Sequence, residues 1–126
     1  MKGLLSFAFI SVLFLSCKKD NQPAITGLWK EVSVYTRDNA GEFHWSGPSR
    51  FPTHLTLTED GKYAAFNDVP AGHGSYQYDH STRQLSFVNS NGSITNLTVS
   101  VLDDSYLITD YLVNGIVEYR QKFIRN

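Results

Sequence analysis

After residue 25 the chain alternates apolar and polar positions with period two, and no segment carries a helical period. Runs rich in Val, Ile, Thr, Tyr and Phe recur between turn signals at Glu59-Asp60-Gly61-Lys62, His80-Ser81-Thr82, Asn89-Ser90-Asn91-Gly92, Asp103-Asp104 and Asn114-Gly115. An all-β protein is expected. The pattern predicts eight strands, over 26–36, 53–58, 62–66, 74–79, 84–89, 93–102, 105–113 and 116–125.

The last hairpin is the best defined, because Asn114-Gly115 tolerates the positive φ angles of a type I′ turn and a two-residue loop fixes the register. Pairing Val113 with Ile116 then sets Leu112 opposite Val117, Asp110 opposite Tyr119, Ile108 opposite Gln121 and Tyr106 opposite Phe123. This mostly apolar face is expected inside, with Asp110 an inward carboxylate. Leu107, Thr109 and Tyr111 go to the solvent side with Lys122, Arg120 and Glu118. One hairpin earlier, pairing Val101 with Tyr106 brings Leu97, Val99 and Val101 to the same inner face. Leu55, Leu57, Tyr76, Tyr78, Leu85 and Phe87 mark further half-buried strands, while Tyr63 and Phe66 remain unassigned to a face.

Antiparallel neighbours joined by short turns form a meander, and eight such strands can close into an up-and-down barrel without a free edge. Closure makes the first and last strands neighbours. Trp29, a large plug beside the side-chain-free Gly27, then lies near an inward Arg125.

Residues before 25 have a different pattern. Lys2 precedes a run from Leu4 to Leu15 that is apolar apart from Ser6 and Ser11, the core of a signal peptide and too short to span a bilayer. It ends in Leu13-Phe14-Leu15-Ser16-Cys17, which resembles the lipobox of bacterial lipoproteins, although Phe14 and Leu15 depart from its usual residues. Cys17 is the only cysteine, so an internal disulfide is excluded, and lipid attachment is its natural use in an exported chain. We therefore expect a signal peptide over 1–16, a lipidated Cys17 with a polar tether over 17–24, and one barrel domain over 25–126. The resemblance implies several acyl chains on the cysteine, enough for stable anchoring.

Composition narrows the function classes. A formal net charge of −1 argues against nucleic-acid binding, and seven Tyr, eight Phe and two Trp promise an aromatic β core. The chain contains no Gly-x-Ser-x-Gly, no phosphate loop and no Cys-His pair, so neither an enzyme nor a cofactor is expected. His44, His54 and His73 fall near one end of the barrel without a spacing that puts two on one strand face, so no metal is expected.

Gly27-Leu28-Trp29, eight strands and a terminal Arg125 near the Trp resemble the lipocalin superfamily. With Cys17, the likeness extends to small lipocalin-like lipoproteins of Gram-negative bacteria. The second and third lipocalin motifs are not recognisable. The resemblance implies a protein anchored by its lipid to the outer membrane, on the periplasmic side or at the surface, with the open mouth at the end away from Trp29.

Loops at that end supply candidate chemistry. Phe43, His44, Trp45, Arg50 and Phe51 in the long connection, His73 after the Asn67-to-Ala71 segment, and Asp110 with Tyr119 are the candidate ligand-binding residues. Each has a structural alternative: a lid packed on its own aromatics, or a carboxylate satisfied by Tyr119. Two functions fit. One is a binder of a small hydrophobic or amphipathic molecule at the mouth, and the other is a cell-envelope module, filled by its own side chains, that contacts a protein or glycan. Interior volume separates them.

Overall fold

The structure, a computed structural model, describes residues 22–50, 52–66 and 72–126. The expected signal peptide, Cys17 and most of the tether lie outside the described residues, as do Phe51 and most of the loop before His73. The described strands are β1 (Gly27–Arg37), β2 (Phe43–Ser46), β3 (His54–Leu57), β4 (Lys62–Phe66), β5 (Gly72–Asp79), β6 (Gln84–Asn89), β7 (Ile94–Leu102), β8 (Tyr106–Val113) and β9 (Ile116–Arg125).

β1 pairs with β3, each strand from β3 onward pairs antiparallel with the next, and β9 returns to β1. The result is a closed eight-stranded antiparallel barrel. All eight expected strands are present, and the expected Asn114-Gly115 turn has φ angles of 53° and 76°. β2 was not expected. It takes over the edge of β1 beyond the end of β3, with Val34 opposite Ser46 and Arg37 opposite Phe43. Its four residues are too few to display an alternation that stands out from a loop.

Three β-bulges correct the expected registers. In β9 the pairing shifts after Tyr111 so that Tyr111 faces Tyr119, Asp110 faces Arg120, Thr109 faces Gln121 and Leu107 faces Phe123. The extra residue, Glu118, moves the side chains of β8 to the opposite face from the one predicted. Leu107 and Thr109 are therefore buried inside, whereas Tyr106 is exposed and Ile108 lies on the outer face. In β7 the bulge falls at Ser100, so Leu97 and Val99 point inward as expected but Val101 points out and Leu102 takes its place against the core. The third bulge, at Val32 of β1, keeps Trp29 and Glu31 inside below it and Val34 inside above it.

The core fills the end of the barrel where the chain enters. Trp29, Leu55, Leu57, Tyr63, Leu85, Phe87, Leu97, Val99, Leu107 and Phe123 are buried together, and Ile25, from the segment before β1, joins them. The Trp29 indole Nε1 donates to the Ile25 carbonyl at 2.8 Å. Tyr63 and Phe87 meet edge to face at 4.8 Å, a favourable aromatic geometry. Tyr76 and Tyr78 line the same wall half-buried, and burial raises both phenol pKa values.

Arg125 covers the closed end. Its guanidinium carbon lies 4.2 Å from the Trp29 ring centroid, and it donates to the carbonyls of Ala24, Thr26 and Asp104 at 2.8, 2.7 and 3.0 Å. The predicted neighbourhood of Trp29 and Arg125 is thus present, with the two residues directly paired across β1 and β9. Gly27 belongs to the same unit: its φ of +136° disfavours a side chain, and a Cβ there would approach Arg125 Nη1 to 2.7 Å.

Candidate functional site: the open half of the barrel

Above the apolar core the interior changes character. Period-two alternation from Trp29 carries Glu31 to the inner face, and alternation from Phe123 carries Gln121 there. Glu31 and Thr53 are fully buried, and Gln121 and Thr109 are each 2 % exposed. A buried polar layer persists only if its members satisfy one another. Here the Gln121 amide nitrogen donates to Glu31 Oε1 at 3.0 Å and to Thr53 Oγ1 at 3.3 Å, while Ser49 donates to Glu31 Oε2 from its Oγ at 2.6 Å and its backbone N–H at 3.2 Å. The connection between β2 and β3 thereby folds onto β1. Its Thr53 carbonyl accepts the Glu31 backbone N–H at 2.9 Å.

Beyond this layer lies a cavity of about 800 Å³ between β7, β8 and β9. Thr95, Leu97, Thr109, Tyr111, Tyr119 and Gln121 supply its inner wall, and Ile94, Asn96 and Leu112 its lip. The volume falls in the range of small-molecule pockets, and the lining mixes the apolar Leu97 and two tyrosines with the polar Thr95, Thr109 and Gln121. The lip is exposed and largely apolar: Ile94 is 65 % accessible and Leu112 is accessible too, next to the exposed Val113 and Ile116 of the β8–β9 hairpin.

Of the predicted site residues, Tyr119 lines this cavity. Asp110 does not. The Glu118 bulge puts it on the outer face, where its Oδ1 accepts from Arg120 Nε at 2.9 Å and from Ser100 Oγ at 3.2 Å. Nor is Tyr119 its partner, since Asp110 stands opposite Arg120. Phe43 and Trp45 also sit outside the barrel, because they flank Tyr35 on the outer face of β1. The Tyr35 ring stacks on Phe43 at 5.1 Å and tilts against Trp45 at 5.3 Å. Arg37 lies over Phe43 and Arg120 over Tyr35, so the strip continues across β9 to Asp110.

His44 stands at the exposed rim. Its Nε2 is 2.8 Å from Asp38 Oδ2 and 3.8 Å from Glu42 Oε2, and the three side chains bring one possible ligand atom each to within 4.8 Å of one another. The Asp38 carboxyl is held below its usual pKa, first by the Glu42 backbone N–H, then by Ala40 and His44. Arg50 is exposed beside Ser49, and His73 is exposed on the outer face of β5, its carbonyl accepting from the Ser90 N–H at 2.9 Å. The structure therefore gathers Tyr119 into the cavity and disperses the other described candidates over the rim and outer wall.

Thr95, Thr109, Tyr111 and Glu31 were not among the predicted site residues. Glu31 was legible in principle, two positions after Trp29 on one strand. Thr109 and Tyr111 were hidden by the bulge.

No model of a known protein family matches the chain, and no curated protein matches it. Fold and site define a closed antiparallel β-barrel with an apolar core at one end and, among the described residues, a pocket on β7, β8 and β9 toward the other.

Proposed function

We propose that this is a lipid-anchored, lipocalin-like protein of the cell envelope that binds a small hydrophobic or amphipathic molecule in the mouth of its barrel. The observation that carries the reading is the cavity of about 800 Å³, apolar at the lip and polar at its floor. A barrel of eight strands can either fill with side chains or hold one small ligand, and the buried apolar cluster of the described residues lies in its lower half, which favours the second. The likeness to lipocalins rests on the eight-stranded barrel, Gly27-Leu28-Trp29 and the Arg125 stack. The proposed anchor is Cys17. The described chain enters at the closed end, where Arg125 holds Ala24 and Thr26, so an anchor on this side leaves the mouth facing away from the outer membrane. In this reading the protein is a binder and not an enzyme, and it uses no cofactor.

A second reading has its own observation. The outer strip of Tyr35, Phe43, Trp45 and Arg37 is an exposed aromatic and cationic surface beside the mouth, suited to a protein or glycan in the envelope.

Native mass spectrometry of the protein purified from its host's envelope tests the choice. A stoichiometric small-molecule mass that is lost on denaturation, and absent from a Tyr119→Ala variant, supports the cavity reading. A clean apo mass, with no thermal stabilisation by any small amphiphile, transfers the weight to the outer strip.

A further inference from the structure

We infer that the cavity selects ligands whose polar head donates hydrogen bonds, foremost a protonated amine on an apolar body, and disfavours carboxylate heads such as those of fatty acids. This rests on the proposed function and specifies its ligand class. The argument begins with the Gln121 amide. Both of its N–H bonds point away from the cavity, to Glu31 Oε1 and Thr53 Oγ1. The reverse orientation would set an amide oxygen against a carboxylate oxygen, so the amide has one sensible rotamer. Among the described residues none donates to its Oε1, and Gln121, although only 2 % exposed, lines the cavity floor. Next to it across the strand pair stands Thr109, which also lines the cavity and whose hydroxyl can accept or donate.

Charge points the same way. The Glu31 carboxylate accepts three hydrogen bonds directly behind Gln121, and among the described residues it has no cationic partner. Among the described residues that line the cavity there is no Lys or Arg. Of the cations of β9, Arg120 and Lys122 are turned outward and engaged there, with Asp110 and over the Tyr106 ring at 4.4 Å, and Arg125 lies on Trp29 at the closed end. An anionic head would therefore meet an acceptor backed by a negative charge in a site of low dielectric, with no counterion. An ammonium head would donate to Gln121 Oε1 and be drawn by the field of Glu31. Being fully buried, Glu31 is a positioning residue: it fixes the amide and supplies the field without touching the ligand.

The test uses the mature chain, residues 17–126, with Cys17→Ser; the barrel closes on itself wholly within these residues. Decylamine, decanol and decanoate share one apolar tail and differ only in the head. Titration calorimetry at pH 7, below the concentrations at which each self-associates, is expected to rank the amine first, about tenfold tighter than the alcohol, which is the scale of one charge-assisted hydrogen bond. Decanoate is expected last. Glu31→Gln keeps the shape of the buried layer and is expected to narrow the amine-to-alcohol ratio to about threefold or less. Decanoate binding as tightly as the amine would overturn the head-group inference while leaving the cavity reading intact. An undiminished amine preference in a folded Glu31→Gln variant would equally overturn it. Failure of all three probes to bind would remove the cavity reading and the inference together. The three-probe ranking on the unaltered barrel decides the matter even where the variant does not fold.

Discussion

Arg125, next to last in the chain, lies flat on Trp29, with 4.2 Å between its guanidinium carbon and the indole centroid. The stack joins the two strands that close the barrel, and the same guanidinium holds three backbone carbonyls. Replacing it with Lys keeps the charge and loses the planar fork. Arg125→Lys is expected to destabilise the barrel by about 2 kcal/mol, combining a cation–π contact with hydrogen bonds from a charged donor. Urea unfolding of both chains measures this, and an unchanged midpoint would mean that the closed end is held by the apolar core alone.

Asp110 separates the outer wall from the cavity. Asp110→Ala removes the acceptor for Arg120 Nε and Ser100 Oγ, at an expected cost of about 1–2 kcal/mol. Ligand affinity is expected to stay where it was, because the side chain points away from the interior. A loss of binding in a folded Asp110→Ala protein would contradict the register of β8.

Acid should loosen the turns first. Asp103 is held below the usual carboxylate range, chiefly by the Tyr106 backbone N–H, next by that of Ser105, with the charge of Arg125 adding to them against desolvation. Asp79 is lowered likewise, mainly by the Ser81 hydroxyl. Since the folded pKa is the lower one, the stabilisation is fully present above the unfolded value near about 3.9 and is lost as pH falls through the folded value. Carboxyl-carbon NMR titration is expected to find Asp103 titrating below an unstructured Asp. A midpoint at or above the unstructured one would refute the turn geometry.

The proposed lipid anchor has a direct readout. Cells supplied with a labelled fatty acid are expected to mark the wild-type protein and to leave Cys17→Ser unmarked, with the variant released from the membrane fraction. Equal labelling of both would exclude Cys17 as the attachment point.

The sequence made the architecture legible because strand existence depends on composition and turn chemistry, both local. Asn114-Gly115 marked its hairpin, and Trp29 and Arg125 marked the closure. The site was less legible, because facing depends on register, and each bulge adds a residue without any composition of its own. Val32, Ser100 and Glu118 look like ordinary strand residues, yet the one at Glu118 moved Asp110 out and Thr109 in. Phe43 and Trp45 misled for a related reason. In a loop they would have been free to cover the mouth, but in β2 their parity turns them onto Tyr35 outside.

The central claim is that the open half of the barrel is a usable cavity. Thr95 lies on its wall near the lip, half-buried, where a larger side chain fills space without entering the core. Titration of the neutral fluorescent probe N-phenyl-1-naphthylamine into wild type and Thr95→Trp is the most direct measurement. The account predicts saturable one-to-one enhancement in wild type and its loss, by about tenfold or more in affinity, in a plugged variant with an unchanged far-UV spectrum. Equal binding by both proteins would mean that the probe sits on the outside, and that the cavity is not the site.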